Sequence, residues 1–137
     1  MQPITVQTKV QLPLESAWKA WTEPAHIVNW NHASDDWHTP LAENDLKPGG
    51  RFSYRMEARD GSFGFDFGGT YDEVRENEYI AYTLEDGRKV NISFREKNGM
   101  TEVRETFEPE SENPVDMQRQ GWQAILDNFR KYAENRY

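Results

Sequence analysis

"SENPVDMQRQGWQAILDNFRKYAENRY", Ser111 to Tyr137, is the stretch on which the fold turns. Asn113 suits an N-cap, because its side chain can accept from a free amide of the first turn. Pro114 suits the first helical position, where a missing N–H costs nothing. Beyond them Val115, Trp122, Ile125, Phe129 and Tyr132 recur at helical spacing and form one apolar stripe. The pattern predicts a helix of more than four turns, from about Pro114 to Glu134. A helix with such a stripe needs an apolar surface to lie on.

The residues before it supply that surface. From Trp37 to Glu108 the apolar pattern has period two, broken at "PGG" 48–50, "DG" 60–61, "EN" 76–77, "DG" 86–87 and "NG" 98–99. Asp-Gly and Asn-Gly between alternating segments are the strongest short-range hairpin signal. Strands are expected at about 37–46, 51–59, 62–74, 79–85, 88–96 and 100–108, as an antiparallel meander. Alternation puts Phe52, Tyr54 and Met56 on one face, with Phe63, Phe65, Phe67, Val90, Ile92, Phe94, Val103 and Phe107. A strongly curved sheet leaves its concave face open to water, and the long helix lying across that face covers it. Upstream, "ITVQTKVQL" (4–12) alternates as a half-buried strand. "PLESAWKAWT", opening at Pro13, and "PAHIVNW", opening at Pro24, read as two short helices carrying Trp18, Trp21, Ile27 and Trp30.

A chain of 137 residues fits one domain, 1–137, able to bury a core without staples. The formal net charge of -8 argues against nucleic acid and anionic membrane surfaces, which are bound through clustered Lys and Arg. Partners are expected to be neutral, apolar or cationic. No cysteine is present, so disulfides, thiolate nucleophiles and Cys-ligated zinc are excluded. The opening "MQPITVQTKVQLPL" lacks a basic region followed by a long apolar one, and no apolar run approaches the ~20 residues that span a bilayer. A soluble, cytoplasmic protein without membrane insertion is expected. Its five Trp, six Tyr and seven Phe must face something apolar, either a thick core or a lined cavity.

The order of strand, two short helices, six-strand meander and long helix resembles the helix-grip fold of the START-like (SRPBCC) superfamily, the birch-pollen-allergen-like α+β architecture. Within it the chain is similar to the family named for activators of the ninety-kilodalton heat-shock protein ATPase. The residues that carry the resemblance are Pro13, Trp18, Trp21 to Pro24, Trp30, "DLKPGGRFSYRM" (45–56), "GGTY" (68–71) and "GW" (121–122). The resemblance implies a cavity between curved sheet and last helix, which superfamily members use for lipids, sterols, polyketides or other aromatics, sometimes as enzymes.

"NWNHASDDWHTP", Asn29 to Pro40, gathers two Trp, two His and two Asp near one mouth of that cavity. His26, His32 and His38 lie six residues apart in mixed structure, without the spacing of a metal site, so no metal or cofactor is expected. Asp35 and Asp36 read as a solvated turn. Trp30 and Trp37 read either as core where the helical hairpin meets the sheet or as a stacking wall for an apolar ligand. His38 is either a surface residue or a group that hydrogen-bonds a ligand oxygen or moves a proton.

Glu105 is more informative, because the parity that turns Val103 and Phe107 inward turns it inward too. An ionised carboxylate there is costly unless it meets a cation, water or a ligand; otherwise it holds a proton. The plain alternative is a wet or Arg-paired rim carboxylate. Asp66 faces outward by alternation unless a bulge at Gly68-Gly69 reverses the phase. Gln118 lies on the helix stripe and is expected to offer an amide to the cavity, and Gly121 is expected to permit close helix-to-sheet approach.

Three functions fit. The first is binding of a small hydrophobic or aromatic molecule in a cavity lined by Trp30, Trp37, Tyr54, Met56, Phe65 and Phe67. Phe94 and Trp122 complete the wall, and His38, Glu105 and Gln118 supply polar contacts. The second is a cyclase- or dehydratase-type enzyme using Glu105, with His38, as acid/base. The third is a protein-interaction module like the co-chaperone family it resembles; the acidic surface permits a protein partner without indicating one.

Overall fold

The computed structural model describes residues 2–136. The elements in chain order are β1 (Ile4–Val10), α1 (Leu14–Thr22), α2 (Pro24–Trp30), β2 (Trp37–Asn44), β3 (Arg51–Ala58), β4 (Gly64–Arg75), β5 (Tyr79–Leu84), β6 (Lys89–Lys97), β7 (Met100–Phe107) and α3 (Val115–Arg136). The strands form one antiparallel sheet in the order β1-β7-β6-β5-β4-β3-β2. Neighbours in sequence pair through short turns, and β1 closes against β7 from the other end of the chain. At the β6–β7 hairpin Asn98 and Gly99 both have positive φ, 56° and 79°, the tight turn that Asn-Gly favours.

Curvature comes from irregular pairing. The register shifts between His38 and Leu41 in β2 and between Tyr71 and Glu73 in β4. Each shift bends its strand and adds twist. The bulge falls past Gly68-Gly69, so Asp66 keeps its outward phase, exposed and 3.4 Å from Arg55. The two glycines serve close packing instead: a Cβ on Gly69 would lie 2.4 Å from the Thr83 carbonyl oxygen.

The helix α3 begins one residue after Pro114, whose carbonyl accepts the first-turn bond from the Gln118 amide at 3.1 Å. The cap therefore falls on the proline and not on Asn113. Leu126, Phe129 and Ala133 are fully buried, and α3 packs against β1 and against α1 and α2. At this end of the concave face aromatic rings pack against one another. Trp21 lies 4.9 Å from both Trp30 and Phe129, and Trp18 stands edge-on to Phe94 at 5.1 Å.

Two expectations are corrected. Phe63, assigned to the inward face, is 62% exposed, because it lies in the turn before β4 and packs on Trp37 (6.1 Å) instead of beneath α3. A Cβ on Gly121 would meet nothing within 4 Å, so this glycine does not mark a tight helix-to-sheet contact.

Candidate functional site

Away from the aromatic plug, α3 and the sheet part to leave a cavity of about 320 Å³. That falls at the lower end of volumes that hold small ligands. The sheet side is Phe52, Tyr54 and Met56 from β3, Phe65, Phe67 and Tyr71 from β4, Ile80 and Tyr82 from β5, and Glu105 from β7. Gln118, Trp122 and Ile125 of α3 form the roof, Trp21, Trp30 and Asn31 the closed end. Trp122 stacks on Phe107, with centroids 3.9 Å apart and planes 8° from parallel, and meets Phe67 edge-on at 6.2 Å.

Register explains the carboxylate within these walls. Glu105 pairs with Val6 of β1 on one side and Ile92 of β6 on the other, so it shares the inward face of both apolar neighbours. It is 6% exposed, and among the described residues no cation or hydrogen-bond donor meets it. Burial pushes its pKa up to about 8, so it holds a proton at neutral pH.

Three phenols share the cavity. Burial raises Tyr54 and Tyr82 well above the ordinary tyrosine value and Tyr71 to about 12. Tyr71 belongs to a directed hydrogen-bond chain. The Asn44 amide nitrogen donates to the Thr22 carbonyl at 2.7 Å, which fixes the amide and leaves its oxygen as acceptor. Tyr71 donates to that oxygen at 2.5 Å, so its proton is spent there. Toward the cavity that it lines, Tyr71 therefore presents lone pairs.

The remaining polar lining groups are engaged. Arg88 is held by Asp86 at 2.7 Å and donates to the Glu108 carbonyl. The Glu110 carboxylate accepts from the Asn113 amide at 2.7 Å. Gln118 lines the cavity as expected but offers it no free amide. Its oxygen accepts from the Glu110 N–H and its nitrogen donates to the Glu110 and Asn113 carbonyls, pinning the loop before α3.

The histidine-rich stretch is a structural elbow. Trp30 faces the cavity with its indole N–H fixed to the Ala20 carbonyl at 2.9 Å. Asn31 and Thr39 bond each other across the bend, and Arg59 holds the Asp35 and Asp36 carbonyls. Trp37 lies outside the cavity against Phe63 and Phe65. His38 lies outside too, half-buried beside Glu57 at 3.8 Å. Phe94 is inward, as its parity requires, but it packs under Trp18 and Trp21 at the filled end. Thus Trp30, Tyr54, Met56, Phe65, Phe67, Glu105, Gln118 and Trp122 gather at the cavity, and Trp37, His38 and Phe94 do not. Tyr71 and Tyr82 were missed, although "GGTY" and "YIAYTL" place both on the inward parity. Among the described residues no group of three or more His, Asp or Glu side chains could hold a metal ion. No helix there is long and apolar enough to cross a membrane.

A seven-stranded curved sheet gripping a long C-terminal helix over a cavity defines the α+β helix-grip class, the START-like superfamily. Residues 11–134 match the family model described as activator of Hsp90 ATPase homolog 1-like protein, and the chain belongs to that family. Among solved structures it is similar to the AHSA1-like protein from Aeromonas hydrophila. The two are 41% identical over 98% of this chain and 94% of that one, with a TM-score of 0.93. It is also similar to Chr148 from Cytophaga hutchinsonii, 52% identical over 97% and 92% of the two chains, with a TM-score of 0.84. CV1439 from Chromobacterium violaceum shares the fold at 20% identity over 98% and 99%, with a TM-score of 0.87. No curated protein matches the chain.

Proposed function

We propose that the protein binds a small apolar or aromatic molecule in the cavity, with Glu105 fixing the molecule's polar group. One observation carries this reading: a buried carboxyl without a partner among the described residues faces about 320 Å³ of space walled by aromatic rings. A structural ion pair would have brought its cation, and a solvated rim carboxylate would not be 6% exposed. The placement of His38 beside Glu57 outside the cavity favours binding over the acid/base pairing of a cyclase or dehydratase, since a proton-transfer partner for Glu105 must lie within reach.

Native mass spectrometry of protein purified from its own host, together with titration by N-phenyl-1-naphthylamine, tests the reading. A retained small molecule, or one-to-one probe binding that Ile125→Trp abolishes in a folded protein, is expected. A protein that retains nothing and leaves the probe in water would refute it.

A further inference from the structure

The polar groups of the cavity specify a charge as well as a shape. We propose that the ligand is an organic ammonium ion, an apolar or aromatic body carrying a protonated amine, whose nitrogen sits against Glu105 and the Tyr71 oxygen. The proposal rests on the reading of the cavity as a ligand site and names the ligand's class.

Hydrogen-bond accounting is the first support. Glu105 when ionised only accepts, and the chain through Asn44 to the Thr22 carbonyl takes the Tyr71 proton and leaves Tyr71 as an acceptor toward the cavity. An ammonium group brings three donors and no acceptor, which matches both. Proximity is the second, because Glu105, Tyr71 and Tyr82 line the same cavity, and both Glu105 and Tyr71 act on the Tyr82 phenol.

Charge and rings add to this. Among the titratable groups facing the cavity from β3, β4, β5, β7 and the segments flanking them, Arg88 is the cation, and Asp86 already neutralises it. Glu105 and Glu110 are the acids, and the chain as a whole carries -8. A cation held over the face of a ring in this wall, such as Tyr54, Phe67 or Tyr82, is attracted more strongly when water is excluded. An anionic ligand would face the Glu110 charge and find Arg88 spent.

The proton balance follows. In the free protein at pH 7 the Glu105 carboxyl is protonated. Binding of the ammonium ion replaces that proton with the N–H donors, and the proton leaves to the buffer. With the free carboxyl at about 8, roughly nine-tenths of a proton per ligand is released at pH 7.

The experiment compares 1-naphthylmethylamine with the isosteric 1-naphthalenemethanol by calorimetry at pH 7, in buffers of different ionisation enthalpy. The amine should bind at least tenfold more tightly than the alcohol and release about nine-tenths of a proton, a value that follows from the raised carboxyl. Glu105→Gln, checked for folding by its melting curve, should abolish both the preference and the release. If the alcohol binds as well as the amine, or the amine binds without releasing a proton, the ammonium assignment is overturned while the ligand cavity stands. If neither compound binds, both readings fall.

Discussion

Phe107 and Trp122 lie face to face, 3.9 Å between centroids and 8° from parallel, with Phe107 completely buried and Trp122 half-buried. The difference in burial is the point of the contact. Trp122 presses one face onto the core and also lines the cavity, so a single ring divides packed from unpacked protein. Trp122→Ala loses the stack and extends the void, and should cost about 2–4 kcal/mol, below a fully buried tryptophan because part of the ring already faces open space. Urea unfolding measures it. A cost under about 1 kcal/mol would mean that α3 can close onto the sheet without the ring.

Glu105 makes stability depend on pH in an unusual direction for an acid. Its pKa rises from 4.5 to about 8 on folding, so between those values the folded state holds more protons than the unfolded one. The contribution is complete below about pH 4.5 and is lost as pH rises through about 8. The slope reaches at most about 1.4 kcal/mol per pH unit. Glu105→Gln removes it. Unfolding free energies of the two proteins, compared at pH 5, 6, 7 and 8.5, should diverge in favour of the glutamine variant as pH rises. Parallel curves would place the Glu105 carboxyl near its ordinary value.

Much of this arrangement was legible because alternation is local. The inward parity of Val103, Glu105 and Phe107 follows from their spacing alone, and the register with Val6 and Ile92 bears it out. Parity gives the face of a residue but not its position along the groove. Phe94 is inward, yet whether it lines space or fills it depends on Trp18 and Trp21, which arrive from a different element. Trp37 escaped for a related reason: the bulge between His38 and Leu41 lies at the start of β2, where phase is least secure. The chain from Tyr71 through Asn44 to Thr22 joins three elements, and no local pattern records it.

Gly121 sits within α3 with open space where its Cβ would be. Glycine in a helix interior costs about 1 kcal/mol relative to alanine, chiefly through backbone freedom in the unfolded chain. Gly121→Ala should therefore raise stability by about 0.5–1 kcal/mol, a few degrees in Tm for a domain of this size. A fall in Tm would show that the space closes in solution.

Tyr71→Phe tests the orientation of the cavity's polar groups. In the native protein Tyr71 gives its proton to the Asn44 oxygen and keeps its lone pairs for the cavity. Phenylalanine keeps the ring among Phe52 and Tyr82, at 5.3 and 6.2 Å, so aromatic packing survives. One group loses its partner: the half-buried Asn44 oxygen has no donor. The cost should be about 1–3 kcal/mol, the penalty for leaving a buried polar group unsatisfied. The substitution also removes the Tyr71 lone pairs from the cavity wall. Binding of 1-naphthylmethylamine should weaken more than binding of 1-naphthalenemethanol, since an ammonium ion brings only donors and the alcohol can also accept. Equal loss for both compounds would assign Tyr71 to shape alone and would separate it from the recognition of charge.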